Sequence, residues 1–141
     1  MKTRRHVDIS ELYDLFRSRK DCYFICGDIA RLMPINEISH KAGDLAILEA
    51  MHRMEDAAGE EDVVFRIGGD EFVILTDSED AAYAENVAKS IREKNEQPIL
   101  FEGREIPLSL HVGITKYEGR NIRYSELFTK LHNAIRESKP C

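Results

Sequence analysis

Phe65-Arg66-Ile67-Gly68-Gly69-Asp70-Glu71-Phe72-Val73-Ile74-Leu75 decides how this chain is read. Two apolar runs, Val63–Ile67 and Val73–Leu75, flank a glycine pair. That is the pattern of a tight hairpin, because both central positions of a two-residue turn want positive φ. Asp70 and Glu71 then open the second strand on a rigid tip, with successive side chains on opposite faces. Adjacent carboxylates repel each other unless something cationic neutralises them. A divalent metal carrying a phosphate meets that need. Gly68 and Gly69 would let the backbone approach the phosphate with no Cβ in the way.

The hairpin acids need a partner, and the natural one lies upstream. Cys22-Tyr23-Phe24-Ile25-Cys26 is a short apolar run that reads as a buried strand ending at Gly27-Asp28. If that strand lies beside the hairpin, Asp28 and Asp70 converge at one sheet edge. Oxygen ligands with no neighbouring His or Cys suit Mg²⁺, which takes one or two carboxylates plus substrate phosphates. A metal there would clamp a triphosphate, activate an attacking hydroxyl and stabilise departing pyrophosphate. The plainer reading makes Asp28 a turn residue after Gly27.

Working outward, Ile9–Arg19 has apolar residues at helical spacing, behind Asp8 or Ser10 as N-caps, within a helical lead-in over residues 1–20. Arg31–Ile38 predicts a brief helix, which Pro34 limits to about one turn unless it sits at the first helical positions. Lys41–Ala58 predicts a long helix, with Leu45, Leu48, Met51 and Met54 as its apolar face. After the hairpin (Asp62–Asp77), Glu79–Asn95 reads as a helix with Ala82, Ala84, Val87, Ala88 and Ile91 inward. Pro98–Phe101 and Ile106–Thr115 read as strands joined through Glu102-Gly103-Arg104-Glu105, and Ser125–Glu137 as a last helix. The order predicts one α+β domain over residues 1–141, a ferredoxin-like, palm-type sandwich with a central, mostly antiparallel sheet and flanking helices.

Composition narrows the function. A chain of 141 residues with net charge −6 lacks the basic stripe of a nucleic-acid binder, so no nucleic-acid partner is expected. No apolar stretch approaches the roughly 20 residues of a membrane span, and the basic start leads into an acidic amphipathic segment, so a cytoplasmic protein is expected. The three cysteines (Cys22, Cys26 and Cys141) show no paired spacing. Cys22 and Cys26 share one face of the first strand and read as small core residues.

Phe65–Leu75 resembles the signature hairpin of GGDEF domains, the diguanylate cyclases that condense two GTP into cyclic di-GMP and two pyrophosphates. Asp28-Ile29, Ile35-Asn36-Glu37, His40 and Gly43-Asp44 resemble the segment those domains carry before the hairpin. The family's element order covers nearly the whole chain. By that resemblance, Asp28 binds Mg²⁺ (or Mn²⁺) together with the backbone carbonyl of Ile29. Asp70 is the second ligand and the proton acceptor for the 3′-hydroxyl, and Glu71 is the neighbouring acid of the metal site. Asn36, His40 and Asp44 match positions that contact the nucleotide, Gly68 and Gly69 face its triphosphate, and Lys139 matches a lysine on its phosphates.

The chemistry of these matches is sound in its own right. A carboxylate such as Asp44 accepts from N1–H and the 2-amino group of guanine but meets an acceptor at N1 of adenine; Asn36 carries both donor and acceptor. Singly, each residue has a mundane reading: Asn36 a cap, His40 a surface residue, Asp44 a helix-dipole partner. Several positions depart from the family. Asn36 and Asp44 are eight apart rather than nine, Ala30, Leu32 and Met33 replace Asp, Phe and Lys, and the N-terminal stretch that walls the base pocket is missing. The family's product-inhibition Arg-x-x-Asp becomes Gly59-Glu60-Glu61-Asp62, which predicts no feedback inhibition, since Gly59 has no guanidinium.

The resemblance implies a homodimer, each copy presenting one GTP, regulated by a fused or separate domain. The alternative is a degenerate member that binds GTP or a protein partner without turnover.

Overall fold

The computed structural model describes residues 3–4, 14, 22–66, 70–76, 78–117, 129 and 133. Its elements are β1 (Thr3–Arg4), β2 (Cys22–Ile29), α1 (Leu32–Ile38), α2 (His40–Ala57), β3 (Val63–Arg66), β4 (Glu71–Leu75), α3 (Ala81–Arg92), β5 (Pro98–Phe101), β6 (Arg104–Pro107) and β7 (Leu110–Tyr117). The main sheet runs β1-β3-β4-β2-β7. The pairs β3–β4, β4–β2 and β2–β7 are antiparallel, and only the two-residue edge strand β1 is parallel to its neighbour. Strands β2, β3, β4 and β7, connected by α2 and α3, form the expected split β-α-β arrangement. The palm-type α+β sandwich predicted from the sequence is the fold observed.

One face of this sheet carries Ile25, Ile29, Val64, Phe72, Ile74, Leu110 and Val112, and it packs against α2 and α3 in a single core cluster. Helix α2 departs from its sequence reading. Its buried line is Ala42, Gly43, Ala46, Ala50, Arg53 and Met54, whereas Leu48 is 53% exposed. Small residues let the helix axis approach the strands more closely than leucines would, so the alanine stripe turns inward. On α3, Ala84, Val87, Ala88 and Ile91 are buried as expected, but Ala82 is exposed in the first turn, where its N–H meets the Asp80 cap.

Three further readings are sharpened or corrected. Pro34 is the third residue of α1, where its missing N–H is one of the helix's unpaired donors anyway, so the helix continues for seven residues. The predicted Ile106–Thr115 strand is two strands. Pro107 ends β6, which pairs with β5 in a separate hairpin, and β7 starts at Leu110. That hairpin turns on Glu102 (φ 49°) and Gly103 (φ 79°), the two positive-φ positions of a type I′ loop. Thr3–Arg4 is a strand rather than part of a helical lead-in.

The signature hairpin also has a longer connection than a two-residue turn. Such a turn at Gly68-Gly69 would set Arg66 opposite Glu71. The register instead pairs Arg66 with Phe72 and leaves Glu71 to pair with Asp28. A one-residue change of register exchanges the faces of every side chain, so this offset decides where the acids point. Gly68 and Gly69 lie outside the described residues, as does Lys139. Asp14, Thr129 and Asn133 are helical, in keeping with the two predicted terminal helices, whose other residues lie outside the described ones.

Buried Arg53 ties α2 to the β5–β6 hairpin. It donates from Nη1 to the Leu108 carbonyl at 2.7 Å, from Nη2 to the Gln97 carbonyl at 2.8 Å, and from Nε to Glu49 at 2.9 Å. Among the described residues, no helix is long and apolar enough to cross a membrane.

Candidate active site

At the carboxyl end of β2, Asp28 pairs with Glu71 on one side and with His111 on the other. The bond from Ile29 N–H to the Asp70 carbonyl (3.2 Å) marks Ile29 and Asp70 as a hydrogen-bonded pair, so Asp28 and Glu71 form the next, non-bonded pair. Cα atoms in such pairs stand about 4.5 Å apart, the closer of the two antiparallel spacings, and both side chains lie on one face. Ala30 N–H donates to the Ser109 carbonyl at 2.9 Å, which holds the end of β2 to the start of β7. Backbone pairing on both sides thus fixes where the Asp28 carboxylate begins.

The row Glu71–Asp28–His111 is on the face opposite α2. Cys26, two residues before Asp28, shares it. Burial pushes the Cys26 thiol up to about 12, and the Glu71 carboxylate adds to the shift. Burial thus favours the protonated form of this thiol beside the acids. Cys22 and Cys26 are both buried, as their reading as core residues requires.

A cavity of about 690 Å³ opens at this end of the sheet. Asp28, Ile29 and Asp70 form its strand wall, and Asn36, His40 and Asp44 form its helix wall. Two stretches of sequence singled out separately therefore border one space. His40 is the first residue of α2, and its i,i+4 spacing with Asp44 puts both on the same side of the first turn. The side chain of Ser39 accepts from Lys41 N–H at 3.1 Å and starts the helix there. Glu71 is half-buried and does not line the cavity; it reaches the site only through its pairing with Asp28.

Two polar lining residues were missed in the sequence. His111 comes from β7, which pairs with β2 across the sheet, and nothing local in Leu110–Tyr117 foretells that pairing. Arg31, at φ 60°, borders the cavity from the turn between β2 and α1. It brings a guanidinium to the wall where Met33, standing at the family's lysine position, brings none. A lone arginine after Asp28-Ile29-Ala30 gave no sequence signal.

Of the oxygen groups a hard cation could take, Asp28, Ile29 and Asp70 line the cavity, and Glu71 stands opposite Asp28 in the ladder. Among the described residues, no group of three or more His, Cys, Asp or Glu side chains is placed to hold a metal ion.

The family model described as "Diguanylate cyclase, GGDEF domain" matches residues 7–140. This chain belongs to the GGDEF family. Among curated relatives of this GGDEF chain, the diguanylate cyclase TpbB of Pseudomonas aeruginosa is 33% identical over 109 residues, covering 75% of this chain and 25% of TpbB. The cyclic di-GMP phosphodiesterase NbdA of the same species is 28% identical over 115 residues, covering 81% of this chain and 15% of NbdA. The chain spans a quarter or less of the length of these two relatives. Among solved structures, the GGDEF domain of TpbB has a TM-score of 0.76 at 25% identity, covering 96% of this chain and 88% of that one.

Proposed function

We propose that this GGDEF chain is a diguanylate cyclase domain, condensing two GTP into cyclic di-GMP and two pyrophosphates. The supporting observation is the single cavity bordered both by Asp28 and Asp70 and by Asn36, His40 and Asp44. One wall has the chemistry for a metal-bound triphosphate and the other the chemistry for a guanine edge. A domain that only docked a partner would need neither.

Mg²⁺ or Mn²⁺ would be held by Asp28, Asp70 and Glu71 with the Ile29 carbonyl; when bound it neutralises triphosphate charge and makes pyrophosphate a better leaving group. The remaining work falls to the protein. Asp44 accepts N1–H and the 2-amino group of the base, Asn36 completes the edge, and His40 stands beside them. Gly68, Gly69 and Lys139 serve the phosphates, as in the family. Asp70 takes the proton of a 3′-hydroxyl as that oxygen bonds to the α-phosphorus of the second GTP. The bond from that phosphorus to the bridging oxygen breaks, and pyrophosphate departs with the electron pair. The same step in the other direction closes the ring. Each copy presents one GTP, so the working unit is a homodimer with the two cavities face to face. The length of the relatives accords with a regulatory region on the same or a separate chain, and the chemistry suits a cytoplasmic setting, where GTP is available.

The test is incubation of the purified chain with GTP and Mg²⁺, followed by mass analysis for a cyclic dinucleotide. Product should form, with a rate that rises faster than linearly with protein concentration. No product at high protein concentration would leave a member that binds nucleotide or a partner without turnover. Calorimetry with a non-hydrolysable GTP analogue would then separate those two.

A further inference from the structure

Helices α1 and α2 are joined by a single residue. Ser39 (φ −173°, ψ 145°) is at once the C-cap of α1, its N–H donating to the Ile35 carbonyl, and the N-cap of α2. Such a joint has no slack, and it folds the last turn of α1 directly onto the first turn of α2. Asn36 is in that last turn and Gly43 in the first turn of its neighbour.

The contact between them is very close. A Cβ built on Gly43 would fall 1.7 Å from Asn36 Oδ1, 2.9 Å from its Cγ and 3.8 Å from its Cα. No side chain at position 43 is compatible with the carboxamide where it lies. Gly43 sits inside a helix, with an ordinary helical neighbourhood and no positive φ of its own. A glycine there costs helix stability relative to alanine, so backbone conformation does not explain it. The space it leaves is filled by Asn36, and Asn36 lines the cavity together with His40 and Asp44, which flank Gly43 in sequence.

We propose that Gly43 is a positioning residue for base recognition: its missing side chain forms the seat that holds the Asn36 carboxamide at the cavity wall. The proposal rests on the reading that Asn36 contacts the guanine edge. It also accounts for the spacing of eight between Asn36 and Asp44. The shortened joint draws α1 against α2, and the two polar groups still share one cavity because position 43 is empty between them.

The seat makes an unusual forecast for Gly43→Ala. The clashing atoms are the free end of a rotatable side chain, so the backbone has no need to move; Asn36 turns away instead. Thermal stability should stay the same or rise, as it does for alanine in a helix interior, while base recognition falls.

The experiment compares the intact chain with Asn36→Ala, Gly43→Ala and the double variant. Binding of a non-hydrolysable GTP analogue and its ATP counterpart is measured by calorimetry with Mg²⁺, beside the melting temperature. Asn36→Ala should weaken the GTP analogue about tenfold and narrow its advantage over the ATP analogue, as expected for one lost polar contact. Gly43→Ala should show the same loss, and the double variant should be no worse than either single one, since both act through one side chain. If Asn36→Ala weakens binding while Gly43→Ala binds like the intact chain, the seat is wrong and the base pocket stands. If the two losses multiply, Gly43 acts by another route and the proposal is overturned. If Asn36→Ala itself leaves binding and base preference untouched, the pocket reading fails, and the seat with it. Should Gly43→Ala melt lower, removing Asn36 in the double variant must restore the melting temperature; failure to restore it also overturns the proposal.

Discussion

Asp28 and Asp62 are both nearly inaccessible, 3% and 2% exposed, and they lie at opposite ends of the sheet. Asp62 is used by the fold itself. Its Oδ2 accepts from Gly59 N–H at 2.8 Å and from Tyr83 O–H at 2.5 Å, closing the turn between α2 and β3 and pinning it to α3. Asp28 instead stands in the wall of a cavity, beside Asp70 and across the ladder from Glu71. A buried charge is tolerated only when something stabilises it. At the Asp62 end the chain provides that stabilisation. The Asp28 end borders a cavity that a ligand could enter.

That contrast can be broken most sharply at the site. Asp70→Ala and Asp28→Ala should each lower cyclic dinucleotide formation by roughly a thousandfold, the scale of losing several kcal/mol of metal-assisted charge stabilisation. Their melting temperatures should stay close to that of the intact chain. A large fall in stability with proportionate loss of product would show that these acids serve the fold, as Asp62 does.

The scaffold should respond in the opposite way. Arg53→Met removes three side-chain hydrogen bonds and leaves the Leu108 and Gln97 carbonyls only their backbone partners, Glu96 N–H and Leu108 N–H, at a cost of about 2 kcal/mol in denaturant unfolding. Dinucleotide formation per folded molecule should be retained. Equal stability would mean that Arg53 contributes no more than a surface charge.

A smaller effect is expected at Tyr83. Burial, and then the Asp62 carboxylate it donates to, push the Tyr83 hydroxyl up to about 12. A folded value above the unfolded one near 10 favours the native state below pH 10, and that contribution is lost as pH rises through about 12. Tyr83→Phe should lower stability by about 1 kcal/mol near neutral pH and flatten the decline between pH 10 and 12, read from melting curves across that range. An unchanged alkaline decline would assign it to other groups, Cys26 among them.

The smallest expected effect is none at all. Cyclic di-GMP added to the reaction should leave the initial rate unchanged, because Asp62 is occupied by Tyr83 and Gly59. Gly59→Arg should likewise leave the rate insensitive to cyclic di-GMP, since the backbone N–H at position 59 and the Tyr83 O–H both donate to Asp62. Inhibition in either case would show that Asp62 can leave its internal partners.

Much of the cavity's polar lining was legible because it depends on residue type at short range. Asp28, Asp70 and Glu71 stood out as acids after apolar runs, and Asn36, His40 and Asp44 followed from a resemblance carried by local spacing. Arg31 and His111 were not legible. One depends on a left-handed turn residue, the other on a strand joined to β2 only through the fold. The inward face of α2 was misread for a related reason. Leu45 and Leu48 offered one apolar stripe and Ala42, Ala46 and Ala50 another, and amphipathic period alone cannot choose between them. The close approach of the helix to the sheet chose the smaller side chains.

By itself the sequence determined the family, the α+β palm and the chemical types at the site, because local periodicity and acid-glycine spacing are properties of neighbouring residues. Tertiary structure alone decided that Glu71 faces Asp28, that His111 completes their row and that Asn36 rests on Gly43. Register and helix-to-helix contact are settled by which faces bury together, and that is a property of residues far apart in the chain.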